Sequence, residues 1–181
     1  MKPLLSPKDL ADAIGVSESS VKRWVDNGIV HATKTAGGHR RIPINEAVRF
    51  LRESRSSLVS PESLGLNDVA TLLGTDSPQG DQDEALFAYL REGHADQARG
   101  MLLSEFLNGR TVAQIVDGSL QYAMKQIGEL WRTDEQGIFQ EHRATEIAIS
   151  AISRLRMLIP PRADDAPTAV GGAPTGDPYI L

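Results

Sequence analysis

Ser6-Pro7-Lys8-Asp9-Leu10, and then Ser17-Glu18-Ser19-Ser20-Val21-Lys22-Arg23-Trp24 after Gly15, are two helix starts in close succession. Ser6 can cap the first, Pro7 suits its first turn, and Asp9 favours the positive end of the helix dipole. The helix predicted over Pro7–Ile14 ends at Gly15, a residue that tolerates left-handed backbone. Ser17 offers the second cap, and a helix over Glu18–Asp26 ends at Asn27-Gly28. Leu10, Ile14, Val16, Val21, Trp24 and Val25 supply one small core, so the pair reads as a helix-turn-helix.

The second helix carries a wet face of Ser17, Ser19, Ser20, Lys22 and Arg23. Short hydroxyls and cations suit phosphate and base-edge contacts, although an ordinary solvated face has the same composition. The residues after Gly28 favour the first reading. Ile29–Lys34 alternates as a strand, Thr35-Ala36-Gly37-Gly38 is a turn, and His39-Arg40-Arg41-Ile42 is a return strand. This hairpin has the form of a DNA-binding wing, with Gly38 permitting close approach and Arg40 and Arg41 supplying charge. Asn45 is expected to cap a third helix over Glu46–Ser54.

Charge follows the same division. The net charge is −5, yet residues 1–55 hold ten Lys/Arg against six Asp/Glu, and the rest holds nine against eighteen. A polyanion is therefore expected at the N-terminal part. Hydrophobic residues make up 40% and charged residues 24%, and there are no cysteines, which excludes disulfides and thiolate metal sites. No apolar run is long enough to span a membrane and Met1–Ser6 is no signal peptide, so a cytoplasmic location is expected.

Helix, turn, helix, then Ala36-Gly37-Gly38-His39-Arg40-Arg41-Ile42, then helix, resembles the winged domains of MerR and excisionase-like regulators. The resemblance implies that Ser19, Ser20, Lys22 and Arg23 read double-stranded DNA, with Ser17 beside them on the same wet face. It implies that His39, Arg40 and Arg41 track phosphates, next to the close approach that Gly38 permits.

Residues 56–82 read as a linker with a short helix at Asn67–Leu73 and an exposed loop over 74–83. From 83 to 159 the pattern is helical. Glu84–Glu92 and Ala95–Leu107 pair across Gly93-His94, and Thr111 caps a long helix with Val116, Leu120, Ala123, Ile127 and Leu130 at steps of four and three. A last helix repeats those steps at Ala144, Ala148, Ala151, Leu155 and Leu158. Such stripes bury seams between neighbours, so a four-helix bundle is expected over 83–159. The predicted fold is mainly α: a winged helix-turn-helix over 1–55 with a small β-hairpin wing, then the bundle.

If the last two helices are antiparallel, Trp131 converges with Glu141 and His142 at one end, forming a site over a flat ligand. The other reading has Trp131 plugging the core, Glu141 favouring a helix N-terminus and His142 on the surface. Ile127-Gly128-Glu129-Leu130-Trp131 followed by Glu141-His142-Arg143-Ala144-Thr145-Glu146 resembles the helical half of cobalamin-binding domains. It is most similar to that half in the light-sensing MerR-type photoreceptor regulators. The resemblance implies that Trp131 covers the upper face of adenosylcobalamin, with Glu141 and His142 beside it.

Two features depart from that family. Arg132 occupies a position where the light-sensing regulators often carry a cobalt-binding histidine, and arginine offers no lone pair. Thr168–Asp177 resembles the first strand and loop of a Rossmann-like half, but no Asp-x-His-x-x-Gly motif comes after it, and His31, His39, His94 and His142 all lack that context. Residues 160–181 are thus expected to be a loosely packed tail of a truncated regulator, and this chain to bind cobalamin weakly or not at all.

The expected function is a DNA-binding transcription regulator, a repressor, whose parent senses adenosylcobalamin and light and which acts as a homo-oligomer. The alternative keeps the wing and makes the bundle a cofactor-free dimerisation or partner-binding module. An accessory subunit of a corrinoid-dependent enzyme ranks third. With no catalytic dyad, phosphate loop or metal-ligand cluster in the sequence, an enzyme is not expected.

Overall fold

The computed structural model describes residues 1–75, 81–132, 135–161, 163 and 165–168 and, at position 131, the backbone alone. Strand β1 (Leu4–Leu5) leads into α1 (Pro7–Ile14) and α2 (Glu18–Asp26). Strands β2 (Thr33–Lys34) and β3 (Arg40–Pro43) form the hairpin, and α3 (Ile44–Ser54) comes directly after it. A 3-10 turn at Pro61–Leu64 precedes α4 (Asn67–Leu73), α5 (Gln82–Glu92) and α6 (Ala95–Leu107). Helix α7 (Val112–Ile115) runs through a π turn at Val116–Leu120 into α8 (Gln121–Glu129), and a 3-10 turn at Leu130–Arg132 precedes α9 (Gly137–Leu158). The fold is mainly helical, with a small three-stranded antiparallel sheet near its N-terminus.

Local chemistry explains the first turns. Ser6 and Asp9 form a reciprocal capping box: Asp9 N donates to Ser6 Oγ at 3.2 Å, and Ser6 N donates to Asp9 Oδ2 at 2.7 Å. Lys2 Nζ adds an ion pair to Asp9 Oδ1 at 2.8 Å. Burial disfavours the Asp9 carboxylate, but Lys2, the Ser6 hydroxyl and the Ser6 amide outweigh it, and its pKa falls below the ordinary 3.8. A depressed carboxyl pKa stabilises the fold above the unfolded-state value, and the gain is lost as pH falls through the folded-state value. Asp9→Asn is therefore expected to lower the melting temperature at pH 6, with the deficit shrinking below about pH 4. Thermal melts across that range check this; a deficit independent of pH would show that the charge plays no part.

Gly15 ends α1 in the left-handed region at φ 71°, and Ser17 Oγ accepts from Ser20 N at 3.2 Å to cap α2. In the sheet, β3 lies between β1 and β2, pairing Leu5 with Ile42 and Thr33 with Arg41. Leu5 and Ile42 are fully buried, tying the sheet to Leu10, Ile14 and Val21. Trp24 is half-buried against Phe50 of α3, with ring centroids 5.1 Å apart. Val16, expected in this core, is exposed, because the left-handed turn at Gly15 carries the chain outward there.

Three further expectations are corrected. Asn45 does not cap the third helix, because β3 runs straight into it. Pro43 holds the N-cap position, and Asn45 Oδ1 accepts from Glu46 N instead. The first hairpin strand is Thr33–Lys34 rather than Ile29–Lys34, with Ile29 exposed and bonded back to the end of α2. Residues 56–75 are no loose linker. Leu64, Leu66 and Val69 are buried, the 3-10 turn packs on α1, and α4 packs on α6.

The α4–α6 contact depends on Gly100. A Cβ there would stand 2.2 Å from the Asp68 carbonyl oxygen and 3.1 Å from Leu72 Cβ. Asp68 itself is buried and ion-paired with Arg99 of α6 and Arg154 of α9. Helices α5, α6, α8 and α9 form the expected bundle, with α4 added outside α6. Ala144, Ala148, Ala151, Leu155 and Leu158 are all buried, as their spacing predicts. The expected long helix from Thr111 is interrupted at Gly118, whose φ/ψ of −103°/−109° is non-helical. Arg110 Nη2 lies 2.8 Å from where a Cβ of Gly118 would sit and donates to Gln114 O, so its guanidinium fills the space of a missing side chain.

One apolar core runs from the sheet into the bundle. Helix α3 packs against α6 and α9, and the Arg52 guanidinium lies over the Phe106 ring at 4.0 Å.

Candidate nucleic-acid interface and helical site

The N-terminus of α2 is an exposed cluster of hydroxyls. Ser17 Oγ lies 2.8 Å from Ser19 Oγ and 2.9 Å from Ser20 Oγ, with Ser17 and Ser19 exposed and Ser20 half-buried. Free backbone amides and the helix dipole make such an end attractive to phosphate. Lys22 is exposed and held by Glu18 at 2.9 Å, one turn back. Arg23 is exposed, with no ion-pair partner among the described residues, so its cation is available to a polyanion.

The hairpin closes tightly. Gly38 N donates to Thr35 O at 2.8 Å, His39 N to Thr35 Oγ1 at 3.2 Å, and Gly38 takes φ +78°. No atom lies within 4 Å of a Cβ built on Gly38, so the tip projects into open space. His39 is exposed beside it. Arg40 turns back instead, and its Nη2 meets Asp26 Oδ1 of α2 at 2.7 Å. Arg41, half-buried, donates from Nη1 to Arg40 O at 3.2 Å. The wing is thus tied to α2 by one of its own candidate phosphate ligands.

A second tie was not visible in the sequence. Arg49 of α3 donates to Ile29 O at 3.0 Å and to Glu46 Oε2 at 2.8 Å, while Glu46 Oε1 accepts from His31 N at 2.7 Å. Burial opposes the Glu46 charge, yet Arg49 and the His31 amide hold its pKa below the usual range. This clamp fixes the segment between α2 and the wing. Its only sequence signal is the i, i+3 spacing of Glu46 and Arg49, common on helix surfaces.

At the other end of the chain, the 3-10 turn that carries Trp131 packs on α9, which carries Glu141 and His142. The side chain of Trp131 lies outside the described residues, as does the stretch 169–177 read as a Rossmann-like start. Glu141 is half-buried and His142 exposed. Helix α9 begins at Gly137, so both stand a full turn in rather than at its start. Helical spacing puts Ile138, Glu141, His142 and Thr145 on one face, with Ile138 62% exposed. Phe139, equally exposed, lies next to that face with Arg143 5.3 Å from its ring centroid. Arg143 also donates to Arg91 O and crosses the turn at Gly93, where any Cβ would meet its guanidinium at 2.7 Å. Exposed apolar surface here lies beside a carboxylate and an imidazole. Arg132, paired with Glu129 at 2.9 Å, adds a cation but no metal-binding lone pair.

Inside the bundle, Ser119 Oγ donates to the buried Glu105 carboxylate (2.9 and 3.0 Å to its two oxygens), which also pairs with Arg110. Burial raises the Glu105 pKa against the pull of Ser119 and Arg110, and the Asp83 charge adds to the rise. In sequence Glu105 sits within Leu102-Leu103-Ser104-Glu105-Phe106-Leu107 and carries no signal of this role.

Among the described residues no helix is long and apolar enough to cross a membrane, and no group of His, Cys, Asp and Glu could hold a metal ion. Comparison with curated proteins gives no match. Family models do match both halves: residues 4–55 match the helix-turn-helix domain and residues 82–156 match the B12 binding domain.

Proposed function

We propose that this chain is a DNA-binding transcription regulator of MerR type, a repressor, whose helical half responds to adenosylcobalamin. The observation that carries it is the joining, in one core, of a tied wing and an open, hydroxyl-rich α2 N-terminus to a helical bundle that matches the B12 binding domain. Ser17, Ser19, Ser20, Lys22 and Arg23 face the bases and nearby phosphates, while Gly38, His39 and Arg41 track the backbone. One head of this size makes limited contact, so useful affinity comes from a homo-oligomer on repeated half-sites.

Trp131, Glu141 and His142 are the residues that would hold the corrin. Bound there, the corrinoid would supply a metal centre able to exchange a ligand, and so a chemical signal. The chain's own part is to present apolar surface, orient the imidazole of His142 and exclude water above the ring. Control then acts on how bundles associate.

A dark titration of the chain with adenosylcobalamin, followed by absorbance and by mass in solution, tests this. A weak but saturable spectral shift is expected, lost in Trp131→Ala and reduced in His142→Ala, with a change in mass on binding. No shift up to the solubility limit of the cofactor would remove the corrinoid half of the reading. It would leave a DNA-binding chain whose bundle serves assembly alone.

A further inference from the structure

Behind the DNA-binding head, far from the wing, lies a cavity of about 670 Å³ lined by residues of three segments. The end of α3 supplies Arg52, the residues after it supply Arg55, Ser56 and Ser57, and the α6–α7 connection supplies Asn108 and Arg110. No Asp or Glu lines it. Three arginines around one cavity, with no carboxylate among its lining residues, favour an anion there.

Their states differ. Arg110 is ion-paired with the buried Glu105 and also donates from Nη2 to Gln114 O. Arg52 donates from Nη2 to Gly109 O at 3.2 Å and rests on Phe106, but its Nη1 is buried with no hydrogen-bond partner. Arg55 has no ion-pair partner among the described residues. It also holds the left-handed conformation at φ 51°, where glycine normally ends a helix; among the described residues it is the only non-glycine there. A strained cation kept where a glycine would sit more easily points to a ligand.

We propose that this cavity binds a phosphorylated small molecule of about mononucleotide size, at the junction of head and bundle. Its volume lies within the range of small-molecule sites, roughly 300–1,000 Å³. Guanidinium forks and serine hydroxyls are the chemistry that recognises phosphate. Two turns of α3, about 10 Å of helix from Ile44 to Leu51, separate this cavity from the root of the wing, so a free ligand is favoured over a DNA phosphate. The site is independent of the corrinoid reading and stands or falls without it.

Calorimetric titration of the full chain with AMP and with inorganic phosphate tests the proposal. AMP is expected to bind one to one, more tightly than phosphate, and at least tenfold more weakly to Arg55→Gly. That variant is informative because glycine suits the backbone there. It should melt about 2–4 °C higher without ligand, which separates lost binding from lost folding. Heat from neither probe, or equal affinity in Arg55→Gly, would overturn the proposal. Displacement of AMP by a short duplex of random sequence would also overturn it, by assigning the cavity to the DNA backbone.

Discussion

Gly100→Ala is expected to lower the melting temperature of this protein by about 10 °C, equivalent to roughly 3 kcal/mol for a chain of this length. Two effects oppose each other. Alanine is the better helix former by about 1 kcal/mol, so on propensity alone the change would stabilise α6. Packing decides otherwise, because the new methyl would stand 2.2 Å from the Asp68 carbonyl oxygen and 2.8 Å from its carbonyl carbon. Backbone cannot rotate away as a side chain can, so α4 must lift off α6. That lift also strains the ion pairs of Asp68 with Arg99 and Arg154. Thermal unfolding followed by circular dichroism reads the result. A higher melting temperature would mean that α4 and α6 do not pack as described.

The second large effect is expected on DNA. Arg40→Ala combined with Arg41→Ala should weaken binding on the order of 100-fold near physiological salt and flatten the salt dependence by about two units. The loss should be alike for all sequences, since phosphates carry no sequence information. The structure adds a control, because Arg40 is held by Asp26 at 2.7 Å. If Arg40 works as a tether for the wing, Asp26→Ala will reproduce the loss of Arg40→Ala. If Arg40 leaves Asp26 to meet a phosphate, Asp26→Ala will bind as well as the parent or better. Anisotropy titrations at several salt concentrations separate the two. Unchanged affinity in the double variant would show that the hairpin is no wing.

The range of each interaction explains why some of this was legible in the sequence and some was not. The caps at Ser6 and Ser17, the stop at Gly15 and the glycine tip of the hairpin act over four residues or fewer, and each lies where the sequence puts it. The alanine and leucine stripe of α9 is a periodic signal and was equally plain. Asn45 misled because a good capping residue loses to a strand that enters the helix directly at Pro43. Residues 56–75 looked like a linker because α4 is short and its partner, Gly100, lies far along the chain in an ordinary Arg99-Gly100-Met101. The break at Gly118 was hidden for a similar reason. The apolar steps on either side keep their spacing, and only the arginine eight residues back explains the glycine. Of the candidate sites, the exposed hydroxyls and cations at the start of α2 are legible by residue type. That Arg40 bonds inward and that Arg49 clamps Ile29 depend on contacts between separate elements, which periodicity does not encode.

The core shared by α3, α6 and α9 also bears on how such a chain could be recombined. Cutting at residue 55 would strip the 3-10 turn from α1 and bare Leu64 and Leu66. Cutting after residue 75 would strip α6 from α4 and leave Asp68 without Arg99 and Arg154. Neither joint is clean. A chimera that borrows the helix-turn-helix part must also borrow the bundle surface beneath it, and a graft of the bundle must bring that part with it.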